Sequence, residues 1–423
     1  MSTFGSKVKL ILTDKDLLGK LGFVLAALVA FRFLATIPVP GIDTAQLEQF
    51  FSNNQFLGLL NIFSGGGLAN LSIVMLGVGP YITASIIMQL LTIIFPQMKA
   101  MYQEEGDQGK KKFAQYSRML TVPLAFLQGY AYIYLFQNQG ILTALSFADV
   151  AVAVTVVAAG SMLLTWLGEL VSEFGIGNGV SLIIFAGIVA GLPQIVAQFA
   201  FSFDPSQIPV ILASLVAGLA IIYAVVVMTE AERPVPVTYA KRVRGNKLYG
   251  GVSTYLPLRL NQAGVIPIIF ALSILLFPQL ILQFAAKSSV AWLATTATAL
   301  LSWSGGAIVS GIFYFLLVFV FTYFYTAITF DPNTLATNLQ KNGAFVPGVR
   351  PGTQTSEHLG KIITRITLVG ALFLGGIAVL PLIMQAITGL ASLAIGGTAL
   401  LIVVSVVLDL VRKIDAQVSL REY

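Results

Sequence analysis

Residues 61–91 read NIFSGGGLANLSIVMLGVGPYITASIIMQLL, in which three consecutive glycines stand directly before a long uncharged apolar run. Such a run is typical of a helix that crosses the ~30 Å hydrocarbon core of a membrane, which takes roughly 20 residues. Each glycine weakens a helix by about 1 kcal/mol relative to alanine. The stretch therefore places an easily deformed segment at the entry to a predicted membrane span.

The composition of the whole chain agrees with a membrane protein. Of its 423 residues, 57% are hydrophobic and only 10% are charged, which is far too apolar for an ordinary soluble domain. The chain contains no cysteine, so disulfides and thiolate metal sites are excluded. We expect an all-α polytopic membrane protein without redox chemistry.

Ten runs are long and apolar enough to cross the membrane as helices. They lie near residues 21–37, 71–95, 117–136, 149–168, 178–197, 207–229, 262–284, 308–330, 362–384 and 390–411. Five spans precede Asp204-Pro205 and five follow it, which suggests two inverted halves. We therefore divide the chain into an amphipathic surface segment (1–19), an N-terminal half (20–203), a C-terminal half (204–411) and a tail (412–423).

Basic residues alternate sharply between the predicted connections. Lys and Arg are concentrated in residues 97–118 and in two long loops at 230–261 and 331–361, whereas 38–70, 137–148 and 198–206 contain none. By the positive-inside rule, the basic connections and both termini are cytosolic. Topology alone explains this charge pattern, but two long basic loops on one face also suggest a docking surface for a cytosolic partner.

The glycine-rich segment at 57–70 is apolar but short. As a helix it would cover only about 21 Å, which is less than the membrane thickness. Irregular backbone at membrane depth survives only where it is buried in protein or lines an aqueous cavity. Two interpretations remain. The segment is a glycine-rich helix contact or an ordinary loop, or it is a short re-entrant plug that sits in a cavity and can leave it.

Apolar residues on two predicted spans suggest a constriction next to this segment. Val78 and Ile82 are four residues apart, as are Val180 and Ile184, so each pair lies on one helical face. β-branched side chains in helices have nearly one rotamer. Several such faces, if they converge, would form a stiff hydrophobic gate, although such residues more often face lipid or neighbouring helices.

Residues that carry catalysis or ion coupling are sparse. Arg32 is the one charge firmly inside a predicted span, which disfavours a proton- or ion-coupled transporter. Residues 106–110 read GDQGK and lack the spacing of a phosphate-binding loop. The single histidine, His358, has no companions with metal-ligand spacing. We expect no enzyme activity of the chain's own, no cofactor and no metal.

Motifs along essentially the whole chain resemble the SecY family, the central channel of the bacterial protein-export translocon. Besides residues 61–91, these are FR and IPVPGID near residues 31–43, WLGEL at 166–170, GIGNGVSLIIFAGIVAGLP at 175–193, TYAKR at 238–242, LPLRLNQAGVIPIIFA at 256–271, NLQKNGAFVPGVRPG at 338–352 and GGTALLIVV at 396–404. They occur in the family order.

The resemblance implies ten helices in two halves around a central pore, which passes unfolded polypeptides and releases hydrophobic segments sideways into lipid. It assigns a pore ring to Val78, Ile82, Val180, Ile184, Ile269 and Ile402. It assigns the plug to Asn61, Ile62, Phe63, Ser64, Gly65, Gly66, Gly67 and Leu68. Polar positions of a lateral gate fall on Thr83, Gln128 and Asn261, and partner docking falls on Lys241, Arg242, Arg244 and Arg350.

The partners that the resemblance implies are the membrane subunits SecE and SecG, the ATPase SecA, the ribosome, unfolded preproteins with signal sequences, and membrane lipid. The implied location is the plasma membrane of a bacterium. Two alternatives remain open at this point. A secondary transporter shares inverted repeats and broken helices, and a nonchannel scaffold would merely gather partners.

Overall fold

The computed structural model describes the ranges 13–39, 66–68, 70–103, 105–138, 146–201, 208–239, 242–244, 247–249, 253–286, 290–304, 307–388 and 391–419, together with Ser64 and Leu142. Predictions for most of segment 1–19, for the boundary at 203–204 and for the last residues of the tail lie outside this part of the chain.

Each of the ten predicted spans coincides with a helix. The helices are α1 (Lys15–Thr36), α2 (Gly79–Ile94), α3 (Pro96–Gln103), α4 (Gly106–Asn138), α5 (Phe147–Phe174), α6 (Gly179–Phe201), α7 (Ile208–Glu230), α8 (Ile266–Ala286), α9 (Ala291–Ser304), α10 (Ala307–Thr329), α11 (Pro332–Lys341), α12 (Thr353–Thr388) and α13 (Ala391–Ser419). Within the described residues, five helices are long and apolar enough to span a membrane, or six if α2 and α3 are one span bent by 116°. The count of ten crossings stays a prediction.

Local sequence explains several helix boundaries. Asp14 begins α1 by accepting hydrogen bonds from the N–H groups of Asp16 and Leu17, and Ser146 begins α5 in a reciprocal capping box with Asp149. Each cap satisfies N–H groups that have no partner inside the helix. Phe95 ends α2 in an extended conformation before Pro96, because the residue before a proline is disfavoured in a helix.

The second span begins eight residues later than predicted. Residues 70–78 form successive turns around a bridge at Ser72, and helix α2 starts at Gly79. Within these turns Leu71 has φ +42° and Gly77 has φ +56°, and such left-handed backbone cannot continue a right-handed helix. The predicted start at residue 71 is therefore wrong, because apolarity indicates membrane depth but does not fix the backbone conformation.

The helices pack in two groups that follow the chain. In the first group α2 packs on α4, α4 on α5, and α5 on α6, while α1 contacts α5 and α6. In the second group α10 packs on α12, and α13 packs on both α7 and α12. The groups meet where α6 contacts α13 and where α8 contacts α2 and α4. The division of the chain at residues 203–204 stays a prediction.

The two long basic loops form a single folded unit, which sequence analysis did not foresee. Strands β1 (Glu232–Tyr239), β4 (Ser253–Arg259) and β5 (Ala344–Phe345) make an antiparallel sheet in the order β4-β1-β5. A second hairpin pairs β2 (Arg242–Arg244) with β3 (Lys247–Tyr249). The all-helical prediction describes the membrane region, while these loops contain the strands.

This unit packs on the first turns of α12. The buried side chains of Val235 on β1 and Leu258 on β4 share an apolar cluster with Leu359, Ile362 and Ile363 of α12. Leu359 has no exposed surface. The sheet is therefore attached to the end of a long membrane helix by side-chain packing as well as by chain connectivity.

We expect Leu359→Ala to loosen this attachment, because truncation of a buried leucine typically costs about 2–5 kcal/mol. Amide hydrogen exchange of β1 and β4 should become faster in the variant. The matched control is Leu368→Ala on the same helix, where the leucine is 43% exposed. Equal protection of the strands in both variants would contradict the packing described here.

Candidate functional site

The glycine-rich segment forms tight turns where it is described. Gly66 has φ +81°, a conformation that L residues with a side chain rarely adopt. A Cβ at Gly67 would lie only 2.8 Å from Oγ of Ser72 and 3.1 Å from the carbonyl oxygen of Ser64. These glycines therefore permit a specific close-packed turn, in addition to the flexibility predicted from sequence. Of the predicted plug, Asn61, Ile62, Phe63 and Gly65 lie outside the described residues.

Hydrogen bonds stabilise this turn and join it to Ser72, in the segment that precedes α2. The N–H of Leu68 donates to Oγ of Ser64 at 2.9 Å, and the N–H of Ser72 donates to the carbonyl of Gly67 at 2.8 Å. Leu68 is buried. The described part of the predicted plug is thus packed in the protein interior.

The end of α1 supports the same region. The N–H of Val39 donates to the carbonyl of Leu71 at 2.8 Å, and the N–H of Ile73 donates to the carbonyl of Ile37 at 2.9 Å. A Cβ at Gly66 would lie 4.0 Å from Nη1 of Arg32, so the guanidinium lies beside the glycine-rich turn. Arg32, which the sequence left without a role, is therefore next to the predicted plug.

The six predicted ring residues come together in one apolar cluster. Val78, Ile184 and Ile402 are buried members of this cluster, and Ile82, Val180 and Ile269 are partly buried and pack against it. They belong to α2 and its N-cap, α6, α8 and α13. The cluster is extended and also includes residues of α1, α5, α7, α10 and α12. It therefore places the six residues in one apolar core shared by both helix groups, where sequence alone indicated two helical faces.

Two glycines allow α5 and α6 to pack closely beside Val180. A Cβ at Gly168 of α5 would lie 3.2 Å from a methyl group of Val180, and a Cβ at Gly179 would overlap the carbonyl oxygen of Gly168. Oγ of Ser172 accepts a hydrogen bond from the N–H of Gly179 at 2.8 Å. The backbones of α5 and α6 are thus in direct contact immediately before Val180. Both glycines were in quoted motifs, but their spacing alone did not indicate this role.

Two of the three predicted gate residues are bonded to each other. Nε2 of Gln128 on α4 donates to Oγ1 of Thr83 on α2 at 3.4 Å, and Gln128 is buried. Asn261, just before α8, is also buried, and its Oδ1 has no hydrogen-bond partner among the described residues. Its backbone lies against Gly370 of α12. The structure therefore pairs Thr83 with Gln128 and places Asn261 against a different helix.

Three of the four predicted docking residues lie in the described parts of the two loops. Arg350 is exposed at the end of a turn-rich segment, and its carbonyl accepts a hydrogen bond from Oγ1 of Thr355 at 2.8 Å. Arg242 and Arg244 lie on β2, where their backbones pair with Tyr249 and Lys247. Lys241 lies outside the described residues.

Two ion pairs that sequence analysis missed join different helices. Nε of Arg118 on α4 lies 3.1 Å from Oε1 of Glu169 on α5, and Nη2 of Arg412 on α13 lies 2.7 Å from Oε1 of Glu230 on α7. Arg412 also donates to the carbonyl of Thr229 at 2.9 Å, which satisfies a carbonyl near the C-terminus of α7. The partners are 51 and 182 residues apart, so no local pattern revealed them.

Comparison with known proteins gives one consistent family. The SecY family model matches residues 72–411. The protein translocase subunit SecY of Mycobacterium bovis is 40% identical over 429 residues, with 96% of each chain covered. A solved protein-conducting channel matches the fold with a TM-score of 0.63 at 20% identity, covering 94% of this chain and 92% of the other. Sec61 in the canine ribosome-channel complex gives a TM-score of 0.60 at 19% identity, covering 94% and 92%.

The contact between α5 and α6 makes a testable prediction. Gly179→Ala should lower the thermal unfolding temperature of the purified protein, because overpacking typically costs about 1–3 kcal/mol. Gly191→Ala in the same helix is the control, since a Cβ there meets nothing within 4 Å and alanine favours the helix. A Gly179→Ala protein as stable as Gly191→Ala would contradict the direct backbone contact.

Proposed function

The chain belongs to the SecY family of protein translocase subunits, and we propose that it is the protein-conducting channel of a bacterial plasma-membrane translocase. In this role it passes unfolded secretory polypeptides across the membrane and releases hydrophobic segments laterally into the bilayer. The observation that carries the proposal is the match of the SecY family model over residues 72–411, and the six β-branched residues lie in or against one extended apolar core shared by both helix groups. The family assignment does not favour the secondary-transporter alternative.

The cluster supports a seal made by Val78, Ile82, Val180, Ile184, Ile269 and Ile402. These side chains carry no polar atoms that could hold water, and their restricted rotamers make the constriction stiff. A hydrophobic constriction excludes water and ions when closed. A translocating polypeptide would replace the contacts among these six residues with contacts to itself.

The glycine-rich turn supports a plug formed by residues 61–68. Its described residues are packed against Ser72 and beside Arg32, which fits the closed position. Movement of the plug would break the short hydrogen bond from the N–H of Ser72 to the carbonyl of Gly67, which contributes about 1 kcal/mol. An entering polypeptide can offset that cost.

Weak polar contacts support a lateral gate at α2, α4 and α8. The hydrogen bond between Gln128 and Thr83 is long, at 3.4 Å, and interhelical polar contacts in membranes average about 0.6 kcal/mol. An apolar signal segment of about ten residues gains roughly 0.5 kcal/mol per residue, or about 5 kcal/mol, by entering lipid. A signal sequence could therefore open this gate, with Asn261 contributing from the α8 side.

The folded unit of the two loops supports docking of a cytosolic partner through Arg350 of the second loop, with Lys241, Arg242 and Arg244 contributing from the first loop. We assign this surface to SecA and to the ribosome, which would supply the driving force that this chain lacks. SecE and SecG complete the membrane complex. The concentration of Lys and Arg in these loops supports a cytosolic location for them and for both termini.

Ion conductance in planar bilayers tests the channel. We expect the intact chain with SecE to be nearly silent and a variant lacking residues 61–70 to show large, fluctuating conductance, because removing the plug leaves only the ring as a seal. Silence of both proteins, together with no translocation of a preprotein, would contradict the channel function.

Charge reversal tests the docking surface. Arg350→Glu should lower preprotein export by more than about tenfold, because loss of a central interface arginine typically costs at least 2 kcal/mol. The variant should still insert into the membrane. Lys361→Glu makes the same charge change at an exposed position on α12 and should export normally. Equal losses in the two variants would contradict a specific role for Arg350.

A further inference from the structure

Helix α5 bears one buried hydroxyl that reaches a distant part of the chain. Oγ of Ser161 donates to the carbonyl oxygen of Gly77 at 2.9 Å, and Ser161 has no exposed surface. That carbonyl belongs to the peptide unit that joins Gly77 to Val78. We propose that Ser161 is a positioning residue that holds Val78 in the resting seal, an inference that rests on the proposed channel function.

The other hydroxyl groups of α5 donate hydrogen bonds within their own helix. Thr155, Thr165 and Ser172 each donate to the carbonyl four residues earlier in their own helix, at 2.7, 3.0 and 2.9 Å. This is the ordinary local bond of a serine or threonine inside a helix. Ser161 instead donates to a residue 84 positions away. Its hydroxyl therefore contributes to tertiary structure and not to the local helix.

The residue before Ser161 brings the two backbones together. A Cβ at Gly160 would overlap the carbonyl oxygen of Ile73 and would lie 3.3 Å from the N–H nitrogen of Val74. No side chain fits between α5 and this segment. Gly160 and Ser161 therefore support two ends of the same turn, one through close packing at Ile73 and one through a hydrogen bond at Gly77.

Val78 depends on outside support because it is not inside a regular helix. It is the N-cap of α2 with φ −93° and ψ 9°, and no side chain caps this helix end. Gly77 before it has φ +56°, and its N–H donates to the carbonyl of Val74 at 2.8 Å in a turn and not in a helix. A carbonyl buried at membrane depth requires a partner within the protein. Ser161 is that partner.

The contact reaches the seal through one residue. Val78 is fully buried in the apolar cluster that contains the ring. If the Gly77–Val78 peptide rotates, Val78 leaves its place and the constriction widens. Ser161 touches neither the pore nor the translocating polypeptide in this scheme, and it acts through the backbone of Val78.

Ser161→Ala tests the proposal in the complex with the membrane partner subunits. Removal of this buried hydrogen bond should raise the fraction of resting channels that are open by about fivefold. Ion leak from proteoliposomes should rise by the same factor. Export of a preprotein with a defective signal sequence should also rise, while export with an intact signal stays at the parent level. Ser161→Cys keeps the side-chain volume with a weaker donor and should show a smaller rise.

The matched control is Thr165→Val, one turn further along α5. It removes a buried hydroxyl that bonds only within its own helix, so leak and signal selectivity should equal those of the parent. Parent-like leak and selectivity in both Ser161 variants would overturn the proposal, as would an equal leak in Thr165→Val. Failure of the parent itself to export a preprotein with an intact signal would instead overturn the channel function and the inference together.

Discussion

The structure depends on one constraint, which is that every backbone polar group at membrane depth needs a partner inside the protein. Most of the chain meets this constraint by forming helices. Residues 70–78 do not, because Leu71 and Gly77 have left-handed backbone. Their carbonyls and N–H groups bond to one another, to the end of α1 at Ile37 and Val39, and to Ser161 of α5. The surrounding helices are arranged around this irregular segment.

Glycines at helix contacts follow from the same constraint. At Gly160, at Gly179 and at Gly370, an added Cβ would meet a backbone carbonyl of another segment at close range. The backbones are in direct contact at these positions, which favours tight van der Waals packing in a membrane where the hydrophobic effect does not drive helix association. Around the proposed gate, by contrast, a long side-chain bond joins Gln128 to Thr83. Direct backbone contact thus fixes α5 against the irregular segment at Gly160 and fixes other elements against each other at Gly179 and Gly370, and a longer polar contact lies where opening is proposed.

The two long loops add a second level of organisation. Their strands pair across more than one hundred residues, from Thr238 to Phe345, and their apolar side chains pack on Leu359 of α12. An ion pair of Glu232 with Arg259 joins the two ends of the β1–β4 hairpin at 3.3 Å. A partner bound at Arg350 would therefore act on a folded unit joined to a long membrane helix, and not on a free loop.

The sequence by itself determined the membrane class, the positions of the ten helices and the family, because hydrophobic runs and ordered motifs are local properties of the chain. It also singled out the glycine-rich segment and two apolar helix faces at Val78 and Val180. Only the tertiary structure decided where α2 begins, that the backbone of Asn261 lies against Gly370 of α12, and that the basic loops form a sheet. Ser161 and the partners of Arg118 and Arg412 were equally invisible in sequence, because a hydrogen bond or ion pair over 51 to 182 residues depends on how the helices pack. Helix packing depends on the whole fold, and the periodicity of one segment does not predict it.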